Sequence, residues 1–220
     1  MKYLLSAYNY DLSDPSSIPY LLLQHCYLVG IAMLISLIIA IPLGILAARY
    51  RWLYAPLIGI ADLFYTIPGI ALLGVLITVP GLGLAPQTAI IPLVIYTQLV
   101  LIRNTVAAID NIDPLLIEVG KAMGMNGPQL LMRVTLPMAL PVMIAGIRVA
   151  TVTTIGIASL ASLVGSGGLG DLIFKNITTG DMDAVMAGAI LMSLFAIIAD
   201  LLLLTVQSAL NRGRGAISLA

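Results

Sequence analysis

Five stretches of this chain are too long and too apolar for a water-soluble domain to conceal. They cover about 18–48, 53–79, 87–101 with an extension towards 108, 140–164 and 184–210. Each approaches or exceeds the roughly 20 residues a helix needs to cross a bilayer, and the first also has room for an interfacial segment ahead of a span centred on 29–44. The longest polar-leaning intervals between them, 109–138 and 165–183, are too short for an aqueous domain. Charged residues make up 9% of the 220, against about 25% in soluble domains, so they cannot cover a globular surface. The expected fold is an all-α integral membrane protein of about five transmembrane helices: a polar leader at 1–17, a membrane domain at 18–210 and a tail at 211–220.

The remaining composition closes off several classes. Ten Lys and Arg balance ten Asp and Glu, which leaves no basic footprint for nucleic acid. The single cysteine, Cys26, and single histidine, His25, cannot build a disulfide framework or a metal site of several Cys and His. Both sit near one end of the first span and read as interfacial and inert. An intramembrane enzyme would need a nucleophile with a base, or a metal cluster, and the chain offers little for either. No catalytic residue is expected. The leader, with Asp11, Asp14 and Pro15 ahead of a full-length span, does not have the charged start and short apolar core of a secretory signal. The first helix is expected to stay, with the leader on the membrane surface.

Short cytoplasmic loops keep Lys and Arg. Arg49, Arg51, Arg103, Lys121, Arg133, Arg212 and Arg214 fall after the odd-numbered spans, Lys2 and Lys175 fall on the other side, and Arg148 lies within the fourth span. That asymmetry places the amino terminus outside and the carboxyl terminus in the cytosol. Asp62, Arg148 and Asp200 are the ionisable residues inside spans, where each costs about 2.5–3.5 kcal/mol on insertion scales. Counting rises places all three roughly 12–15 Å deep, a common depth that permits pairing. Arg148 is expected to be neutralised by Asp62 or Asp200. The alternative is a direct place on a substrate path, or a relay in an ion-coupled secondary transporter.

The interval 109–137 carries the most structured polar pattern. Asp113 is a good N-cap and Pro114 suits the first helical position, so a helix starts there and Gly124 is placed to end it. Leu115, Val119 and Ala122 form one apolar stripe, Leu116 and Met123 a neighbouring one. A second short helix starts near Pro128 and runs towards Leu136 and Pro137. Joined by Met125-Asn126-Gly127, the two make a compact cytosolic knob for a soluble partner.

At these residues the sequence resembles the EAA loop of bacterial ABC importer permeases: Glu118, Gly124 six residues on, then Val134-Thr135-Leu136-Pro137. Val119 and Gly120 stand where that family usually has alanines, and Gly120 is a weaker helix former by roughly 1 kcal/mol. The resemblance implies that the loop docks as a coupling helix on an ATPase subunit, through Glu118, Val119, Gly120, Ala122, Gly124, Val134, Leu136 and Pro137. It continues through Tyr65-Thr66-Ile67-Pro68, Arg103-Asn104-Thr105, Ala139-Leu140-Pro141, Ala145-Gly146-Ile147-Arg148 and Gly165-Ser166-Gly167-Gly168-Leu169-Gly170-Asp171. Those segments are similar to the osmoprotectant branch, which imports glycine betaine, choline and carnitine. The methionine-type permeases share the five-span plan and are the rival.

The resemblance further implies a bacterial inner-membrane location, an extracytoplasmic binding protein, and a second permease copy or sister permease across a two-fold axis. No cofactor is expected in this chain. No Gly-Lys-Ser or Gly-Lys-Thr triplet occurs, so ATP and Mg belong to the partner ATPase. The glycines 165, 167, 168 and 170 formally match a dinucleotide fingerprint, but that pattern has meaning only between a strand and a helix. They are expected instead to form a close-packed, flexible hairpin that, with Pro68, provides gate or hinge candidates. Of thirteen aromatic residues, Trp52 and Tyr54 stand at a span end and suit the interfacial belt, leaving Phe64, Tyr65, Tyr96, Phe174 and Phe195 in or near later spans, which does not amount to a dedicated cage for a quaternary ammonium ion. The high-affinity site is therefore expected on the binding protein.

Overall fold

The computed structural model describes residues 2–215, with side chains for 3–210. In chain order it contains α1 (Lys2–Leu5), a 3₁₀ turn (Ala7–Tyr10), α2 (Ile18–Arg49), α3 (Arg51–Thr66), α4 (Gly69–Ile77), α5 (Pro86–Asp110), α6 (Pro114–Ala122), α7 (Gly127–Leu130), a π turn (Leu131–Thr135), α8 (Leu136–Ala158), a 3₁₀ turn (Ser159–Val164), α9 (Gly170–Thr179) and α10 (Met182–Gly215). The described residues contain no strand. Four helical runs among them are long and apolar enough to span a membrane, and the count reaches five when the bent pair α3 and α4 is taken as one span. The tail expected at 211–220 begins as the last turns of α10; its remainder lies outside the described residues.

Two spans depart from the sequence reading. The second is not one helix over 53–79: α3 and α4 meet at 85°. Pro68 has no amide to give and pushes its predecessor out of the helical region, and Ile67 is extended at φ −69, ψ 125. The fourth begins earlier than 140. Helix runs from Gly127 through the π turn to Val164, so the second short helix of the knob is the foot of the span. The π turn has a local cause. Pro137 would clash with the carbonyl four residues back in an α-helix, and the Leu136 amide instead reaches back five residues to the Leu131 carbonyl. The helix Gly170–Thr179 was also not foreseen; the i,i+4 pair Asp171–Lys175 and Gly180, which ends it at φ +77, are its signals in the sequence.

α5 is the central helix, packed against α2, α3, α4 and α8. Close approach is achieved with glycine: a Cβ on Gly44 of α2 would lie 2.6 Å from the Thr105 Cβ, and one on Gly146 of α8 would collide with the Asn104 Cβ. α10 lies on the outside against α8 and α9, exposing Ile197, Leu201 and Leu202, as suits a helix with a lipid-facing side.

The ends are built differently. At one, Arg51 makes two 2.9 Å bonds with Asp110, joining the start of α3 to the end of α5. Ile112, Ala139, Met143 and Ile117 form an apolar cluster beneath α6 there. At the other end, Tyr3 and Leu4 of the leader pack onto Ile18, Leu21, Leu169 and Leu172, which ties the start of the leader to the bundle. Within the leader the Ser13 amide, then its hydroxyl, hold the Asp11 carboxyl below its ordinary range, and the Ser16 hydroxyl and amide do the same for Asp14.

Candidate functional site

The two-helix knob is built largely from its own sequence. The Asp113 side chain accepts the Leu115 amide at 2.9 Å and caps α6. Gly124, at φ +80, lets the chain reverse, and the Met125 amide bonds back to the Gly120 carbonyl. Asn126 and Gln129 then exchange two 3.0 Å bonds between side chains and amides, a capping box that starts α7.

The orientation of α6 is informative. Ile117 and Gly120 face the bundle, Gly120 so closely that a Cβ there would lie 2.6 Å from the Leu130 Cδ1, with Val134 behind it. Leu115, Leu116, Val119 and Met123 are exposed, as are Glu118, Ala122 and Pro137, while Leu136 is partly buried against the bundle. Both apolar stripes read from the sequence therefore point away from the protein, at 60% exposure for Leu115 and 71% for Met123. Glu118 has no partner in this chain among the described residues. The knob thus displays an apolar surface, with one carboxylate unpaired among the described residues, at one end of the bundle. Beside it a groove of about 530 Å³ opens between Ile45, Arg49, Ile117, Lys121 and Leu131.

The intramembrane charges do not form one cluster. Arg148 binds Asp200 through Nε and Nη2, both at 2.8 Å, and its Nη1 donates to Gln207 Oε1 at 2.9 Å. Gln207 in turn donates to the Pro141 carbonyl at 3.1 Å. Asp62 is elsewhere: both its oxygens accept from Arg103 Nη2, at 2.8 and 2.7 Å. Arg103, placed by the sequence reading at the flank of a loop, is inside α5. Gln207, seven residues after Asp200 and so two turns along the same face, was legible in principle; the Asp62–Arg103 pairing joins two helices and has no local signal.

The glycine segment is close-packed. Residues 166–170 are buried, with Gly165, Gly167 and Gly168 at φ +70, +73 and +85. The Gly168 amide donates to Gln24 Oε1 at 3.0 Å, and Gly170 abuts the Ser159 backbone. His25 belongs to this packing, which corrects its reading as an inert interfacial residue. It is 0% exposed, its Nε2 lies 3.0 Å from the Ile155 carbonyl, and its ring meets Phe195 edge to face at 5.8 Å. Cys26, one residue on, is exposed.

A helical bundle with one broken span, and a two-helix knob turned outward at one end, has the architecture of a multi-pass transport subunit that engages another polypeptide. Comparison with known proteins agrees. The chain belongs to the family described as binding-protein-dependent transport system inner membrane component, whose model matches residues 40–214, and it is a multi-pass protein of the bacterial inner membrane. It is 39% identical over 206 residues to the osmoprotectant import permease protein OsmW of Salmonella typhimurium LT2, covering 92% of this chain and 96% of the relative. It is 43% identical over 190 residues to the glycine betaine/carnitine/choline transport system permease protein OpuCD of Bacillus subtilis 168, covering 86% and 82%. Among solved structures, the inward-facing MetNI methionine ABC transporter superposes with a TM-score of 0.77 at 24% identity, over 90% of this chain and 99% of that one.

Proposed function

We propose that this chain forms the translocation path of an ATP-driven importer for quaternary-amine osmoprotectants such as glycine betaine, choline or carnitine. The observation that carries the energising half is the outward apolar face of α6 around Glu118, which is unpaired among the described residues. A soluble ATPase bound there would bring ATP and Mg with it; the chain itself supplies no catalytic group. Closure of two ATPases would draw two knobs together and turn the cavity outward, so a second copy or a sister permease faces this one. The knob and the Arg and Lys residues near it face the cytosol, the leader faces outward, and a binding protein delivers the solute to the outer face.

The substrate half is supported by the named relatives, which cover most of the chain at 39–43% identity. The methionine transporter is less similar and speaks for the fold. The ion-coupled alternative, with Asp62, Arg148 and Asp200 as a relay, has no use for the knob. Copurification from native membranes, with uptake measured in vesicles, decides the matter. An ATPase should be recovered and uptake of labelled glycine betaine or choline should stop when ATP is exhausted at a held ion gradient; persistence of uptake would remove the proposal. Thermal shifts of the cognate binding protein with quaternary amines and with methionine decide the substrate.

A further inference from the structure

We propose that the break in the second span is a weak binding station for a methylated ammonium group, formed by the rings of Tyr65 and Tyr96 and the carbonyl end of α3. The proposal rests on the quaternary-amine reading above and adds where along this chain the cation pauses.

Three observations converge there. A cavity of about 270 Å³ opens at the break, lined by Tyr65, Thr66, Pro68 and Tyr96 on one side and by Ile157 and Leu160 on the other. The two rings stand edge to face, 5.9 Å apart at 85°, so at least one face of each is clear of the other. A ring face attracts a cation through its quadrupole, and methylated ammonium is the cation that such faces prefer because it offers no hydrogen bond to lose. Finally, the break strips backbone partners. Pro68 has no amide, and no amide of the turned segment reaches the Tyr65 or Thr66 carbonyl among the described residues. The carbonyl end of a helix carries partial negative charge.

The station is held by the same residue that contributes a ring. The Tyr96 hydroxyl donates to the Ile67 carbonyl at 2.8 Å, fixing α5 to the break. One turn before Tyr65 on its face, Asp62 is neutralised by Arg103, so no uncompensated positive charge repels a cation. Tyr65 is 43% exposed. Tyr96, at 5%, shows the cavity only a little of its ring; one half-open ring beside a mostly covered one, without a carboxylate, binds loosely, which suits a station that must release its cargo.

The test uses the full-length permease in lipid nanodiscs with 3-fluorotyrosine at position 65, its ¹⁹F resonance titrated with choline, with the neutral isostere 3,3-dimethylbutan-1-ol, and with sodium chloride at matched ionic strength. The expected result is a saturable shift with choline alone. Replacing Tyr96 with Leu should weaken the choline response by about tenfold, the order of one cation–π contact. In transport assays Tyr65→Phe, which keeps the ring face, should keep uptake, whereas Tyr65→Leu should lose it with binding-protein affinity unchanged. An equal shift with the neutral isostere, or no saturable shift with choline, overturns the station. If that happens while the binding protein still takes quaternary amines, only the station falls; a binding protein that takes none of them overturns the underlying reading instead.

Discussion

Arg148 and Asp200 face each other fork to fork, with two 2.8 Å bonds from Nε and Nη2 to the two carboxylate oxygens, and Gln207 occupies the remaining Nη1. The arrangement clamps α10 to α8. Bidentate geometry is the strong form of such a pair, and in a lipid-facing bundle the alternative to pairing is an uncompensated charge at membrane depth. Losing one partner is therefore worse than losing both.

The prediction is that Arg148→Leu and Asp200→Leu each lower the thermal midpoint of the solubilised protein by several degrees, and that the double substitution recovers part of the loss. The exchanged pair Arg148→Asp with Asp200→Arg should also recover part, whereas Arg148→Asp with Asp62→Arg should recover nothing, because Asp62 lies against Arg103. Fluorescence-detected size exclusion after a heat step reads all of these. Equal damage from single and double substitutions would show that the clamp is not a unit.

Asp62 and Arg103 offer a contrast. Their side chains are 44% and 48% exposed, against 34% and 22% for Asp200 and Arg148, and one guanidinium nitrogen serves both oxygens. An ion pair whose open side meets water contributes little, and the open geometry of this pair is expected to face such a wetted side. Asp62→Asn should leave the thermal midpoint close to wild type in the same assay, clearly above the Asp200 variants.

Much of this was legible because it is local. The cap at Asp113, the reversal at Gly124 and the apolar stripes of α6 are all dictated within a few residues, and the chain folds there as its spacing predicts. What escaped depends on partners far along the chain. The choice of Asp200 over Asp62 for Arg148, and the burial of His25 against Ile155 and Phe195, are set by how helices pack, and no periodicity reports that. The kink at Pro68 lies between: proline announced a disturbance, but an 85° turn rather than a gentle bend also needs Tyr96 to hold the Ile67 carbonyl.

For the knob, the decisive variants are those that alter the outward face and spare the inward one. Val119 is 48% exposed and belongs to none of the apolar clusters of the bundle. Val119→Asp and Glu118→Lys should therefore leave expression and thermal midpoint unchanged while abolishing ATPase copurification and uptake. A variant that still recovers the ATPase would shift the docking surface away from α6.

Two glycines should respond oppositely to the same small change. At Gly120 the atom in the way is the terminal Cδ1 of Leu130, which can turn aside, and alanine favours a helix by about 1 kcal/mol. Gly120→Ala should be neutral or stabilising. At Gly146 the obstacle is the Asn104 Cβ, fixed to the backbone of α5, so the helices must separate at a cost of about 1–3 kcal/mol. Gly146→Ala should lower the thermal midpoint; if both variants behave alike, the packing of α5 on α8 is looser than these distances imply.

His25 closes a gap that the helix itself creates. As α8 tightens into the 3₁₀ turn, the Ser159 amide is donated to Gly156 rather than to Ile155, and the Ile155 carbonyl is left to the His25 Nε2 at 3.0 Å. A buried carbonyl without a donor costs about 1–3 kcal/mol, so His25→Leu should destabilise the protein by that order. His25→Gln, which keeps a donor, should lose less. Gly168 bears on the same site: its φ of +85 disfavours any side chain, and a Cβ there would lie 3.0 Å from the His25 Nδ1. Gly168→Ala should be destabilising alone, and combined with His25→Leu it should cost less than the sum, because residues in contact share their losses. Strict additivity of the two thermal shifts would mean that the ring and the glycine turn do not form one packed unit.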